Sequence, residues 1–170
     1  MLGGEEQSSC VVRLHMPSLV AVAYVSSATR RFTPEELDAL LLDARAFNAT
    51  AGVSGALLHQ DGSFFQYFEG LEASVAQVYS RIKRSRMHRG LIELVAAPVN
   101  QRHFSTWSMG FAEPVASELQ SVSQASWHAE HQALSVQDAP ASGLALLLSF
   151  WQRAQPNRGS AASQVTPIRS

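Results

Sequence analysis

A short aromatic stretch constrains the fold of this chain more than any other. Residues 64–70 read FFQYFEG and follow an Asp61-Gly62 turn signal, which is typical of the second strand of a β-hairpin. Because side chains in a strand alternate between two faces, Gln66 lies between Phe64 and Phe68 on one apolar face. A buried amide without partners costs on the order of 1–3 kcal/mol. The sequence therefore predicts that something polar lies against Gln66.

The segments around this hairpin predict the element order βαββαββ. They are a buried strand at 19–25, a helix opening with the capping box at 33–36, strands at 52–59 and 64–70, a helix from Leu71 to about Lys83, and strands at 91–97 and 107–111. This order indicates an α+β fold, a ferredoxin-like sandwich with a mixed five-stranded sheet and two helices on one face. Since the first strand is apolar on both faces, we expect C-terminal helices to cap the other face.

Composition shifts divide the chain into four predicted parts. Residues 1–17 are a flexible leader, 18–114 form the sandwich domain, 115–154 are a C-terminal helical cap and 155–170 are a disordered tail. The segment after Pro114 is shorter than most independent output domains. We therefore expect a short, stand-alone protein that acts through a partner of unknown identity or through self-association as a homo-oligomer.

Charge and composition exclude several functional classes. The net charge is −1 without a basic stripe, which argues against nucleic-acid binding. No run approaches the roughly 20 apolar residues of a membrane span. The single cysteine, Cys10, cannot form an internal disulfide, so a cytoplasmic protein is expected.

His128 and His131 have a spacing that can chelate a metal, but no third ligand completes the site, and a solvated helix face is favoured.

Several polar residues occupy positions predicted to face the core. Tyr24 is the one polar side chain of the first strand, and Asn48 continues the apolar stripe of the first helix. Taken alone, Asn48 is better explained as a helix-end residue bonding the last carbonyls. Gly52 and Gly55 suggest close backbone approach. The arginines and lysine near 81–89 are typical of a solvated helix end, or of a site that neutralises a phosphate.

Four motifs together resemble the BLUF family of blue-light sensors using FAD. They are the YVSSA run at 24–28, Asn48 followed by GVSG at 52–55, FQYFEG at 65–70 and WSMGF at 107–111. The resemblance covers roughly Leu19 to Pro114, in order and with family-like spacings, and so falls within the predicted domain of residues 18–114. It implies a flavin cofactor, FAD with FMN as the second possibility, held between the two helices and against the sheet.

The resemblance also implies roles for individual residues. Gln66 corresponds to the amide that hydrogen-bonds the flavin ring, Tyr24 to the phenol beside it, and Asn48 to the residue at the carbonyl edge of the ring. In the family, excitation drives electron and proton transfer from the tyrosine, and the glutamine rearranges its hydrogen bonds. Trp107 and Met109 correspond to last-strand residues that relay the signal. Without the other three residues, both would be read as core side chains.

Two departures from the family pattern affect the predicted cofactor contacts. Phe47 stands where many members have Asn or His, and Ala44 stands where Ser is often found. The Arg-His pair after the second helix is Met87-His88 here, flanked by arginines, and which arginine meets the flavin tail is left open. The predicted cofactor contacts are Tyr24, Ala44, Phe47, Asn48, Gln66, His88, Arg89 and Met109.

Two alternatives stand beside the sensor. One is a ferredoxin-like enzyme of the acylphosphatase type, which needs a phosphate-binding loop with an Arg and an Asn that the sequence does not offer. The other is a flavin-free interaction module that uses the sandwich as a scaffold. Neither a G-x-S-x-G motif nor a phosphate-cradling glycine loop is present. We therefore expect a protein that is not an enzyme.

Overall fold

A computed structural model of the chain describes residues 18–106, 108–127 and 142–154. The elements in chain order are β1 (Leu19–Ala28), α1 (Pro34–Ala51), β2 (Ser54–Gln60), β3 (Ser63–Leu71), α2 (Glu72–Arg84), β4 (His88–Pro98), β5 (Gly110–Ala112), α3 (Ala116–Gln124) and α4 (Gly143–Ala154). The predicted order βαββαββ is confirmed. The predicted leader and tail, Trp107, His128 and His131 lie outside the described residues.

The strands form one mixed five-stranded sheet in the order β4-β1-β3-β2-β5. Only β2 and β5 are parallel, and the other neighbours are antiparallel. The β2–β3 hairpin closes through Asp61 and Gly62, whose φ angles are 47° and 79°. Two successive positive φ angles match the right-handed twist of the flanking strands. The predicted turn thus sets the register that places Gln66.

Helices cover both faces of the sheet, as the apolar interior strand β1 requires. On one face, Val22 and Tyr24 of β1 pack with Leu41 of α1 and Val78 of α2. On the other, the alternate β1 residues such as Ala23 pack in a second cluster with α3 and α4, which contribute Leu119, Val122, Leu144, Leu147, Phe150 and Trp151. Because β1 buries side chains alternately in two cores, its first half, Leu19 to Ala23, is apolar at every position. None of the described helices combines the length and hydropathy of a membrane span.

Two details of the sequence prediction are corrected. The second helix was predicted to start at Leu71, but Leu71 ends β3 and is 42% exposed, so α2 begins at Glu72. Gly55 does approach its neighbour closely, since a Cβ there would overlap the backbone of Tyr67 and Phe68. Gly52, in contrast, has free space around it and a φ of 68°, so it is needed as the left-handed C-cap of α1.

The last strand is shorter than predicted. It begins at Gly110, so Met109 precedes it. The physical reason is that the carbonyl oxygens of Ser108 and Met109 accept hydrogen bonds from the side chains of Asn48 and Arg45 on α1. Carbonyls held by helix side chains are not used to extend the strand ladder.

Candidate functional site

A cleft of about 470 Å³ opens between α1, α2 and the sheet face that these helices cover. Its volume falls within the roughly 300–1,000 Å³ of typical ligand and cofactor sites. Its walls are mainly apolar, with a few convergent polar groups. The lining residues are Tyr24, Ser26, Leu40, Asp43, Ala44, Phe47, Asn48, Leu57, Phe64, Gln66, Val78, Arg81, Ile82, Arg84, Ser85, Met87 and His88.

Tyr24 and Gln66 form the polar centre of the cleft. They are directly opposite each other in the antiparallel β1–β3 register, and both are buried. The hydroxyl of Tyr24 donates a hydrogen bond to Oε1 of Gln66. On its other side, Nε2 of Gln66 donates to Sδ of Met109 at 3.5 Å. The amide therefore links the phenol to the residue before β5, and it keeps one N–H and one lone pair for a further partner.

Burial keeps the phenol of Tyr24 protonated. It raises the pKa of Tyr24 above its ordinary value of 10, and the neighbouring Tyr79 adds to the rise. The ring contacts three other rings, namely Phe68, Tyr79 and His88, with centroid distances of 6.4, 6.2 and 6.0 Å. A phenol in this setting is neutral in the dark at any physiological pH.

The end of α1 holds the segment that enters β5. Asn48 is 3% exposed, and its Nδ2 donates to the carbonyl oxygen of Ser108 at 3.0 Å. Nε of Arg45 donates to the carbonyl oxygen of Met109 at 2.9 Å. The explanation of Asn48 as a helix-end residue is therefore insufficient, because its side chain bonds a distant loop instead of the helix carbonyls. Met109 is thus held at its carbonyl by α1 and at its sulfur by Gln66.

Two buried polar atoms at the cleft have no protein partner within the described part of the chain. They are Oγ of Ser26 and Nδ1 of His88. Nε2 of His88 contacts the carbonyl oxygen of Ile82 at 3.1 Å. Burial lowers the pKa of His88, and the contact with Ile82 offsets this only in part. Unpaired buried atoms on an apolar cleft fit a flat heterocycle with its own carbonyls and ring nitrogens, which is the chemistry of a flavin.

The departures from the family pattern lie on the cleft wall. Ala44 and Phe47 both line it from α1. Arg81 of α2 lies over the Phe47 ring, with its guanidinium carbon 4.3 Å from the centroid, and it also pairs with Asp43 of α1. These contacts join the two helices across the cleft. Phe47 therefore supplies a cation–π platform at the position where the family resemblance leads to the expectation of Asn or His.

The structure does not bring every predicted contact to the cleft. Arg89 is exposed on β4 and is not a lining residue, whereas Arg81 and Arg84 are. Met109 contacts Gln66 but does not line the cleft. His88 lines it as predicted. Trp107 lies outside the described residues.

Sequence reasoning missed Ser26 as a cleft residue. Its signal was available, because Ser26 is two positions after Tyr24 and so shares its face of β1. Sequence reasoning also missed the buried carboxylate of Glu69 on the opposite face. Glu69 Oε1 accepts from the backbone N–H groups of His103 and Phe104, both at 2.6 Å, and Oε2 accepts from the Tyr67 hydroxyl at 2.9 Å. Glu69 thereby anchors the loop that leads to Met109.

Known proteins similar to this chain point to one family. A family model described as sensors of blue-light using FAD (BLUF) matches residues 19–110, more than half of the chain. Photoactivated adenylate cyclase subunit beta of Euglena gracilis is 32% identical over 93 residues, which cover 54% of this chain and 11% of that protein. The chain thus spans about a tenth of the length of the curated relatives it matches.

Solved structures share the fold of this chain. The dark-state structure of BlrB, a BLUF protein, superposes with a TM-score of 0.61 over 82% of this chain and 99% of that chain; its 21% identity supports the fold alone. Klebsiella pneumoniae BlrP1 with FMN and cyclic diGMP is 30% identical, with a TM-score of 0.52 over 56% of this chain and 26% of that chain.

These findings favour the sensor over the acylphosphatase-type enzyme and over the flavin-free scaffold. The matched range of residues 19–110 contains the strands and helices that build the cleft and all four motifs except the last residue of WSMGF. The chain therefore belongs to the BLUF family, the sensors of blue light using FAD.

Proposed function

We propose that Tyr24 is the light-dependent electron and proton donor of this photoreceptor and that Gln66 converts its oxidation into a structural signal. The observation that carries the proposal is the chain of two hydrogen bonds from the Tyr24 hydroxyl through the Gln66 amide to Sδ of Met109. Ser26, Asn48, Gln66 and His88 would hold the flavin through polar groups, and Ala44 and Phe47 through apolar contact. When bound and excited by blue light, the flavin supplies a strong one-electron oxidant in the cleft.

Oxidation changes the acidity of Tyr24. A buried phenol keeps its proton in the dark but becomes a strong acid once it loses an electron. Its hydroxyl already points at Oε1 of Gln66, so the proton has an acceptor in place. A primary amide carries both donors and an acceptor, so Gln66 can exchange the atoms that it presents to its neighbours. Such an exchange alters the contact of Gln66 with Met109.

We propose β5 and the C-terminal helices as the output path. Gly110, the first residue of β5, packs directly under Trp151 of α4, and a Cβ at Gly110 would overlap the indole ring. Met109 is the preceding residue, held by Arg45 and Gln66. A changed contact at Met109 therefore acts on a tightly packed junction with α4. Packed junctions of this kind favour discrete alternative arrangements over gradual deformation.

We propose FAD over FMN as the resident cofactor, and Arg84 as the residue nearest its phosphates. Arg84 lines the cleft and is exposed, and none of the ion pairs between described residues involves it. Arg81, in contrast, is paired with Asp43. Mass spectrometry of the extracted cofactor distinguishes the two flavins, and an Arg84→Gln variant should release FAD more readily while retaining riboflavin affinity.

We further propose that this chain has no catalytic turnover and signals through a protein partner or a change in self-association. Its relatives include photoactivated adenylate cyclase subunits of Euglena, but the match covers only 11% of the length of subunit beta. Light-dependent size-exclusion chromatography or ultracentrifugation tests self-association.

The absorbance difference between dark and blue-illuminated protein tests the core of the proposal. We expect a reversible red shift of the flavin band in the wild type. Gln66→Leu should abolish the shift while the protein stays yellow, and Tyr24→Phe should stop the normal photocycle. Gln77→Leu, an exposed substitution on α2, is the matched control and should behave as wild type. A full shift in Gln66→Leu contradicts the role of the amide, and a full shift in Tyr24→Phe removes Tyr24 as donor.

A further inference from the structure

A second tyrosine lies beside Tyr24 in an environment suited to oxidation. Tyr79 of α2 is 9% exposed, and its ring centroid is 6.2 Å from that of Tyr24 with an interplanar angle of 34°. This separation is within the range of aromatic pairs in contact. Tyr79 is part of the core cluster beneath the two helices, and the proposed photochemistry does not use it.

The hydroxyl of Tyr79 has a stronger base as partner than that of Tyr24. It donates a hydrogen bond of 2.8 Å to Oε2 of Glu93 on β4. Glu93 is itself the β4 residue paired with Tyr24 in the β1–β4 register. Tyr24 donates instead to an amide oxygen, which is a far weaker base than a carboxylate. A phenol that loses an electron also loses its proton. A tyrosine is therefore easier to oxidise when its hydroxyl is hydrogen-bonded to a base that can accept the proton.

The charges around Tyr79 require that the proton leaves with the electron. Nζ of Lys83 lies 3.9 Å from the centroid of the Tyr79 ring. A cation over the ring face opposes positive charge on the ring, so a ring radical cation is disfavoured. A neutral radical carries no such penalty once the proton has moved to Glu93. In the dark, burial and then the bond to Glu93 raise the pKa of Tyr79, so the phenol stays protonated.

We propose that Tyr79 and Glu93 form a second donor that reduces Tyr24 after Tyr24 has been oxidised by the excited flavin. The inference rests on the proposed function of Tyr24. One electron passes from Tyr79 to the oxidised Tyr24, the O–H bond of Tyr79 breaks, and its proton forms an O–H bond on the Glu93 carboxylate. The proton that Tyr24 had given to Oε1 of Gln66 leaves that oxygen and re-forms the O–H bond of Tyr24. The oxidising equivalent then resides on Tyr79 as a neutral radical, one ring further from the cleft centre.

Electron paramagnetic resonance of flavin-loaded, full-length protein frozen under blue light tests the relay. The chain has three tyrosines, so Tyr→Phe variants can assign the signal. We expect a trapped tyrosyl radical in the wild type and its loss in Tyr79→Phe. Glu93→Gln preserves the size of the side chain and a hydrogen-bond acceptor but removes the base, so the radical yield should fall by roughly tenfold or more. Glu72→Gln, on the exposed first turn of α2, is the matched control.

A flavin-free measurement separates this relay from the photocycle. In the protein without cofactor, an external photogenerated one-electron oxidant should place the radical on Tyr79, and Glu93→Gln should shift it to the other tyrosines. Unfolding midpoints of the variants exclude loss of fold as the cause. A radical that Tyr79→Phe leaves unchanged, together with an intact red shift, overturns the relay alone. Absence of both the red shift and any tyrosyl radical overturns the proposed function with it.

Discussion

Asn48 and Ser108, 60 positions apart in the chain, are joined by a hydrogen bond of 3.0 Å from the side-chain amide to the backbone carbonyl. This bond joins the end of α1, the helix that lines the cleft, to the residue before Met109. It gives Asn48 a structural role that does not depend on the cofactor. The cleft and the entrance to β5 are therefore coupled in the protein itself.

Asn48→Ala should destabilise the flavin-free protein. The substitution leaves the Ser108 carbonyl without its partner in a partly buried site, which costs about 1–2 kcal/mol. Urea unfolding of the apoprotein measures the change in the free energy of unfolding. Asn100→Ala, at an exposed position, should change it by less than about 0.5 kcal/mol. If Asn48→Ala affects only the flavin-bound protein, the bond to Ser108 contributes nothing to stability.

Glu69→Leu should be among the most destabilising single substitutions in the chain. Glu69 is fully buried and accepts from two backbone N–H groups and from Tyr67. Removing the carboxylate leaves these buried donors without an acceptor, which should lower the free energy of unfolding by roughly 3–5 kcal/mol. Glu69→Gln retains an acceptor for the two N–H groups and should cost distinctly less. Thermal and urea unfolding of both variants provide the measurement, and equal stabilities of the two variants would contradict the role of Glu69 as an anchor for this loop.

His88 should make stability depend on pH in mildly acidic solution. Burial lowers the pKa of His88 from its ordinary value of 6.5, so the unfolded chain takes up this proton more readily than the folded protein. The contribution of His88 is therefore complete above about pH 6.5 and is lost as the pH falls through its lower, folded-state pKa. His88→Gln and His88→Phe should both flatten the dependence of the unfolding free energy on pH in this range.

The two His88 variants differ in one respect that serves as a control. Gln can keep a hydrogen bond to the carbonyl of Ile82, whereas Phe cannot. At pH 8, where histidine is neutral, the His88→Phe protein should therefore have a lower free energy of unfolding than the His88→Gln protein. A steep pH dependence that persists in both variants would assign it to another group.

Gly110→Ala should strain the junction between β5 and α4. The added Cβ would overlap the six-membered ring of Trp151, and overpacking of this kind costs about 1–3 kcal/mol. The double variant with Trp151→Phe should recover part of the loss, because the smaller ring leaves room. A double-mutant cycle on unfolding free energies should give a coupling of roughly 0.5–3 kcal/mol. Simple additivity would show that the two residues do not act on each other.

The element order and the inward-facing positions of Gln66 and Asn48 follow from the sequence, because both depend on local patterns. Alternation along residues 64–70 places Gln66 on an apolar face, and the Asp61-Gly62 turn fixes the hairpin. The helical period places Asn48 inward, and it is 3% exposed. Such signals depend on residues within a few positions of each other, so they can be recognised in the sequence without knowledge of the tertiary structure.

The partners of these residues were decided only by the tertiary structure. The β1–β3 register sets Tyr24 opposite Gln66, and the β1–β4 register, with its bulge after Ala23, sets Glu93 beside Tyr24. Strand register and helix placement depend on contacts between segments far apart in the chain, which no local pattern encodes. For the same reason, the basic residues near 81–89 did not by themselves indicate that Arg81 and Arg84 line the cleft and that Arg89 does not. The sequence alone determined which side chains face inward, and the packing of helices on the sheet determined which of them meet.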